Sequence, residues 1–158
     1  MQRFDKAEIH YVIGDATQPQ GDGNKIIVHI CNDIGAWGAG FVLAVSKKWR
    51  APEIAYRMKK SHHLGEVDFV RVEDDIIVAN MVAQHGVSRM GFDDSDEPPI
   101  RYAAVRVCLN EVNKMAYTTG SSIHMPRIGC GLAGGSWDEI EKIIKDVASV
   151  PVYVYDLK

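Results

Sequence analysis

Two stretches of this chain leave no polar face: Ile26, Ile27 and Val28, and again Ile76, Ile77 and Val78. A strand with one face in water alternates apolar and polar residues, whereas a strand apolar throughout has to be covered on both sides. The chain must therefore place helices on each face of its sheet, which is the layout of an α/β sandwich. β-rich runs occupy residues 9–13, 25–31, 67–72, 76–83, 122–128 and 152–157.

Helical periodicity fills the gaps between them. After Pro99, the residues Tyr102, Val105, Leu109, Val112 and Ala116 recur in three- and four-residue steps, forming one apolar stripe that ends near Gly120. A last helix opens with Ser136, Trp137, Asp138 and Glu139, the pattern of a capping box, and buries Ile140, Ile143, Ile144 and Val147. Residues 39–49 turn Phe41, Val42 and Val45 inward and set Lys47 and Lys48 near the negative helix end. A short helix follows Pro52.

With 158 residues and 46% hydrophobic content, the expectation for residues 1–158 is one domain with a continuous core. The 18 basic residues stand against 21 acidic ones, so the chain has no broad basic field and a nucleic-acid polymer is not a favoured partner. Cys31, Cys108 and Cys130 lack any C-x-x-C pairing, which suits reduced thiols better than a disulfide framework or a zinc site. No apolar run approaches the roughly 20 residues of a membrane span, and no signal-like series follows Met1, so a soluble, cytoplasmic protein without a membrane partner is expected. The acidic group Asp93, Asp94, Asp96 and Glu97, within residues 91–99, reads as a solvated loop.

In open α/β sheets ligands bind beyond the carboxyl ends of the strands, and three turns stand there. The first runs Asn32, Asp33, Ile34, Gly35, Ala36, Trp37, Gly38, Ala39, Gly40 and Phe41 into a helix. Glycines let main-chain N–H groups approach phosphate oxygens, and a helix N-terminus favours an anion; the same glycines also serve a plain strand-to-helix turn. The second is Gly129, Cys130, Gly131, Leu132, Ala133, Gly134 and Gly135. It matches G-x-G-x-x-G, yet the dinucleotide fingerprint opens the first strand-helix unit, and this turn comes late in the chain. Asp138 and Glu139 in the following helix also oppose an anion, which leaves binding to the loop amides. The third is Gly14, Asp15, Ala16 and Thr17, where Asp15 can accept from an exocyclic amine or simply cap its turn. Together the turns suit a nucleotide diphosphate.

The motifs IGDAT (13–17), HICNDIGAWGAGF (29–41), ANMVAQHG (79–86) and MPRIGCGLAGGSW (125–137) resemble those of the macro domains, in particular the branch holding ADP-ribosyl-glutamate hydrolases and yeast-type ADP-ribose 1''-phosphate phosphatases. The resemblance implies a three-layer α/β/α sandwich around a mixed, mostly parallel six-stranded sheet. It also implies ADP-ribose or a derivative as ligand, with an ADP-ribosylated protein as a further partner; no cofactor or metal is expected, since phosphate binding by amides needs no ion and the motif turns hold no carboxylate cluster. Asp15 would hold the adenine amine, with Ala16 as the neighbouring backbone contact and Tyr155 bordering the pocket. Gly38, Ala39, Gly40 and Phe41, with Gly129, Cys130, Gly131, Leu132, Ala133 and Gly134, would wrap the diphosphate and distal ribose, with Asn32 and Asp33 near that ribose.

At the catalytic positions the chain departs from the hydrolases. Their attacking lysine and their aspartate align with Gln84 and Ala133, which offer neither an amine nor an acid. The catalytic expectation therefore falls on Asn32, Asp33 and His85, with Asp33 or His85 orienting or deprotonating a water. That suits removal of a distal-ribose substituent, such as the phosphate of ADP-ribose 1''-phosphate; the alternative is a reader without chemistry. Cys130 reads as a small spacer, His29 as a hydrogen-bonded core residue, and His62 with His63 as a polar turn.

Overall fold

The chain order is β1 (Ile9–Ile13), β2 (Asn24–Asn32), α1 (Phe41–Lys48), α2 (Ala51–Met58), β3 (Val67–Glu73), β4 (Ile76–Gln84), α3 (Tyr102–Thr119), β5 (Ser121–Met125), α4 (Trp137–Val147) and β6 (Val152–Asp156). The computed structural model describes residues 8–87 and 97–158, so most of the acidic stretch at 91–99 lies outside the described residues. The strands form one sheet in the order β1-β6-β5-β2-β4-β3. Every neighbouring pair is parallel except β3 with β4, so the sheet is mixed and mostly parallel.

The doubly apolar runs are buried for the expected reason. On β2, Ile26 and Val28 pack with Ala79, Met81 and the inner faces of α3 and α4. Ile27 and Cys31 point the other way, to Val78 and to Val42, Val45 and Tyr56 of α1 and α2. Alternate residues of one strand thus serve two cores. On α4, Ile140, Ile143 and Ile144 are buried, each contributing about 1.5–3 kcal/mol of transfer free energy. Gly120 closes α3 with φ 66°, in the left-handed region that favours glycine.

Three boundaries differ from the sequence reading. β5 stops at Met125, short of residue 128, because Pro126 has no N–H to continue a ladder. α1 begins at Phe41, since Gly40 sits at φ 81° and ψ −149°. Ser136 occupies the cap position of α4, but its side chain makes no capping bond. Its backbone N–H donates instead to the Tyr102 hydroxyl at 2.8 Å, so the capping box does not form.

Because β1, β6, β5, β2 and β4 run parallel, their carboxyl ends share one edge of the sheet. That edge carries, in spatial order, Gly14, Asp156, Pro126, Asn32 and His85 at or just beyond the strand ends. Cys31, Cys108 and Cys130 are all free thiols, the first two buried. Among the described residues, no helix is long and apolar enough to cross a membrane.

Candidate functional site

Asn32 organises the first turn. Its Oδ1 accepts the N–H groups of Ile34 (3.1 Å) and Ala36 (3.0 Å), while its Nδ2 donates to the Ala36 carbonyl (2.7 Å). From below, the Tyr56 hydroxyl reaches both the Asn32 carbonyl (2.7 Å) and Oδ1 (2.8 Å). An amide so occupied shapes the loop, and Asn32 also lines the cleft. Beyond this knot the chain opens: the N–H groups of residues 38–42 have no hydrogen-bond partner among the described residues. The first turn of α1 carries no acidic residue and no side-chain cap, so its positive end is uncompensated.

The second turn is folded by its own backbone. Gly134 N–H donates to Gly131 O at 3.0 Å and Gly135 N–H to Gly129 O at 2.6 Å, leaving the N–H groups of residues 129–133 without partners among the described residues. Gly135 permits the closure, since a Cβ there would stand 2.4 Å from the Gly129 carbonyl oxygen. The turn follows β5, not the first strand, so the dinucleotide fingerprint is met in letters but not in place.

Both turns line one cleft of about 440 Å³ at the carboxyl edge, within the usual range for a small-molecule site. Of the expected ligand residues, Asn32, Gly38, Ala39, Gly40, Phe41, Gly129, Gly131, Leu132 and Ala133 line it. Asp15, Ala16, Cys130, Gly134 and Tyr155 do not. Cys130 directs its thiol to the Ile128 carbonyl, and burial pushes its pKa up, which suits a spacer better than a nucleophile.

Asp33 and His85 stand beside the cleft, bracketed by Asn32, Gln84 and Val87, which do line it. Asp33 Oδ2 lies 2.8 Å from His85 Nδ1, and Oδ1 accepts the Gly86 N–H at 2.7 Å. The carboxylate is largely covered and the imidazole mostly exposed. Gln84 turns its amide back onto the Gly86 carbonyl at 3.0 Å.

At the other end of the edge, Asp15 Oδ1 accepts from the Thr17 N–H (2.8 Å) and hydroxyl (2.7 Å), the turn-capping arrangement. Oδ2 has no hydrogen-bond partner among the described residues. Tyr155 is buried, and its hydroxyl accepts the Gln20 N–H at 2.7 Å, pinning the far side of the same loop. Arg127, Pro126 and Ile30 line the cleft without having been singled out in the sequence. Arg127 lies inside the 125–137 motif, and its one signal is a cation set between a strand end and a glycine turn. His29 is buried and bonded through Nε2 to Asn80 Oδ1 at 2.6 Å, as expected of a core histidine.

A mostly parallel α/β sandwich with two amide-lined turns over one carboxyl-edge cleft defines an α/β ligand-binding domain. No family model matches the chain. It is 53% identical to a Bacteroides thetaiotaomicron protein of unknown function, with TM-score 0.91 over 96% of this chain and 99% of that one. It is 46% identical to a macrodomain protein from Streptomyces coelicolor, with TM-score 0.79 over 94% of this chain and 99% of that one. The chain therefore belongs to the macrodomain family. It is 24% identical to an ADP-ribose 1''-phosphate phosphatase of Lodderomyces elongisporus over 93% of its own length and 97% of that protein's. It matches a mouse chromodomain-helicase-DNA-binding protein 1-like at 29% identity but spans only 18% of that protein's length.

Proposed function

We propose that the chain binds ADP-ribose or a derivative along the carboxyl edge of its sheet and removes a substituent from the distal ribose. The observation that carries this reading is the linear arrangement of three features. Asp15 lies after β1, the two amide-lined turns over the cleft follow β5 and β2, and the Asp33–His85 pair follows β2 and β4. Adjacent strands are about 4.8 Å apart, so β1 and β4 are separated by roughly 19 Å, room for an extended dinucleotide-sized ligand. Free amides suit a diphosphate, an acceptor suits the adenine amine, and a carboxylate–imidazole pair suits proton transfer at the far end. The likeness to the L. elongisporus phosphatase supports a phosphate ester as the substituent.

In this mechanism the ionised Asp33 takes the Nδ1 proton of His85 as a hydrogen bond, which leaves Nε2 free to accept a proton from water. The hydroxide so formed attacks phosphorus, the bond between phosphorus and the ribose oxygen breaks, and that oxygen takes up the proton held on His85 Nε2, which returns the ring to its neutral form. Phosphate release from ADP-ribose 1''-phosphate, alongside calorimetric titration with ADP-ribose, tests both halves. Binding without turnover above buffer rejects the phosphatase, and no binding heat near millimolar ligand rejects the reading altogether. The second reading, a non-catalytic reader of ADP-ribose or ADP-ribosylated protein, is favoured by Gln84 and Ala133, which by the motif resemblance fall where the hydrolases carry their lysine and aspartate.

A further inference from the structure

Arg127 stands in the cleft wall with no part in the chemistry above. One edge of its guanidinium is taken by Asp156: Nε donates to Oδ1 at 2.7 Å and Nη2 to Oδ2 at 2.9 Å, a fork-to-fork pair. Its carbon lies 5.2 Å from the ring centres of both Tyr11 and Trp137. Those rings are set nearly perpendicular and joined by a Trp137 Nε1 donation to the Tyr11 hydroxyl at 2.9 Å. Tyr11 in turn bonds the Glu141 carboxylate.

So fixed a guanidinium is poorly suited to a phosphate. Its charge is already met by a carboxylate, and the neighbouring turns supply amides for an anion without it. What it offers is a locked plane on a side chain that remains 40% exposed. Its place on the edge is equally definite. It follows β5, beside Asp156 at the end of β6, whose carbonyl accepts the Gly14 N–H next to Asp15 at 2.9 Å. Arg127 therefore occupies the span between the base acceptor and the second amide turn.

We propose that Arg127 is a ligand-binding residue whose guanidinium plane is the shelf on which the nucleobase stacks, while Asp15 reads the edge of that base. Arginine planes stack on aromatic rings and on bases of any sequence, so the shelf supplies affinity and the carboxylate supplies selection for an amine-bearing base. The proposal rests on the reading of the ligand as ADP-ribose.

The test compares ADP-ribose with ribose 5-phosphate, which presents sugar and phosphate without a base. ADP-ribose is titrated by calorimetry, and ribose 5-phosphate by amide NMR shifts at residues 129–133. Arg127→Lys keeps the charge and loses the plane; it should weaken ADP-ribose about tenfold, the scale of one base-stacking contact, and leave ribose 5-phosphate within about twofold. Unchanged ADP-ribose affinity, or an equal loss for both ligands, overturns the shelf. If Arg127→Lys does not fold by thermal melting, Asp156→Asn carries the test: it frees the guanidinium without removing it. A loss confined to ADP-ribose then supports the shelf, and no loss overturns it. A wild-type chain that binds no ADP-ribose overturns the ligand reading and the shelf with it, whereas wild-type binding equalled by Arg127→Lys overturns the shelf alone.

Discussion

His85 Nδ1 lies 2.8 Å from Asp33 Oδ2, and the other oxygen of the same carboxylate accepts the Gly86 N–H at 2.7 Å. Burial pushes the Asp33 pKa up, but the Gly86 amide and the His85 ring outweigh it and hold the carboxyl below its ordinary range. An ionised Asp33 has no proton to give, so Nδ1 must be the donor and the lone pair of neutral His85 sits on Nε2. One contact thus joins the ends of β2 and β4 and fixes a tautomer suited to accepting a proton.

If this pair activates water, Asp33→Asn and His85→Gln should each lower phosphate release by about 100-fold while ADP-ribose affinity, read by calorimetry, stays within about threefold. Turnover unchanged in His85→Gln would reduce the pair to a latch between two loops. Asp33 also makes a pH-dependent contribution to stability. Its folded pKa is depressed, so the contribution is present above the ordinary value of 3.8 and is lost as pH falls through the folded value. Asp33→Asn should lack that part of acid destabilisation in urea titrations.

Tyr56→Phe tests the knot under the first turn. The Tyr56 ring is fully buried and its hydroxyl serves the Asn32 carbonyl and Oδ1. Removing it leaves that carbonyl without its hydroxyl partner and should cost about 1–3 kcal/mol in urea unfolding. ADP-ribose affinity should fall with it, because the amides of residues 38–42 follow the loop that Asn32 shapes. Affinity at the wild-type level would separate the knot from the cradle.

The runs at Ile26 to Val28 and Ile76 to Val78 made the sandwich legible, because double-sided burial is written into consecutive residues. The two turns were legible for the same reason, as local glycine patterns. What stayed hidden depends on partners distant in sequence. Ser136 looks like half of a capping box, yet its N–H is taken by Tyr102, 34 residues away. That Asn32 holds its turn shows only through Tyr56, 24 residues on. Arg127 declares itself only through Asp156, Tyr11 and Trp137, which reach it from β6, β1 and α4.

Two glycines of the second turn should behave oppositely. At Gly135 an added Cβ would meet the Gly129 carbonyl oxygen at 2.4 Å, a backbone atom that cannot rotate away. Gly135→Ala should therefore destabilise by roughly 2–4 kcal/mol and weaken ADP-ribose by displacing the free amides. At Gly131 nothing lies within 4 Å of the added atom, so Gly131→Ala should stay within about 0.5 kcal/mol in stability. Equal destabilisation by the two in thermal or urea unfolding would show that the turn is not closed as described.

The fold should weaken in mild acid through two histidines that take no part in the proposed proton transfer, one of which, His29, lines the cleft. Burial pushes His29 down to about 4, outweighing its bond to Asn80, and burial with the nearby Lys25 charge pushes His124 to about 4. His124 sits between the Ser122 hydroxyl (2.7 Å) and the Tyr155 hydroxyl (2.8 Å), so it also braces the tyrosine that pins the Asp15 loop. Both rings are neutral in the folded chain above these values, while the unfolded chain takes up protons near 6.5. The unfolded state binds more protons between those limits, so stability declines as pH falls from about 6.5 toward 4, by roughly 3 kcal/mol for each histidine once the fall is complete. Urea midpoints measured from pH 7 to pH 4 should show that slope. His29→Gln should remove about half of it, since Gln cannot take up the proton that the unfolded histidine gains. A flat profile in the wild-type chain would mean that neither ring is held neutral by burial.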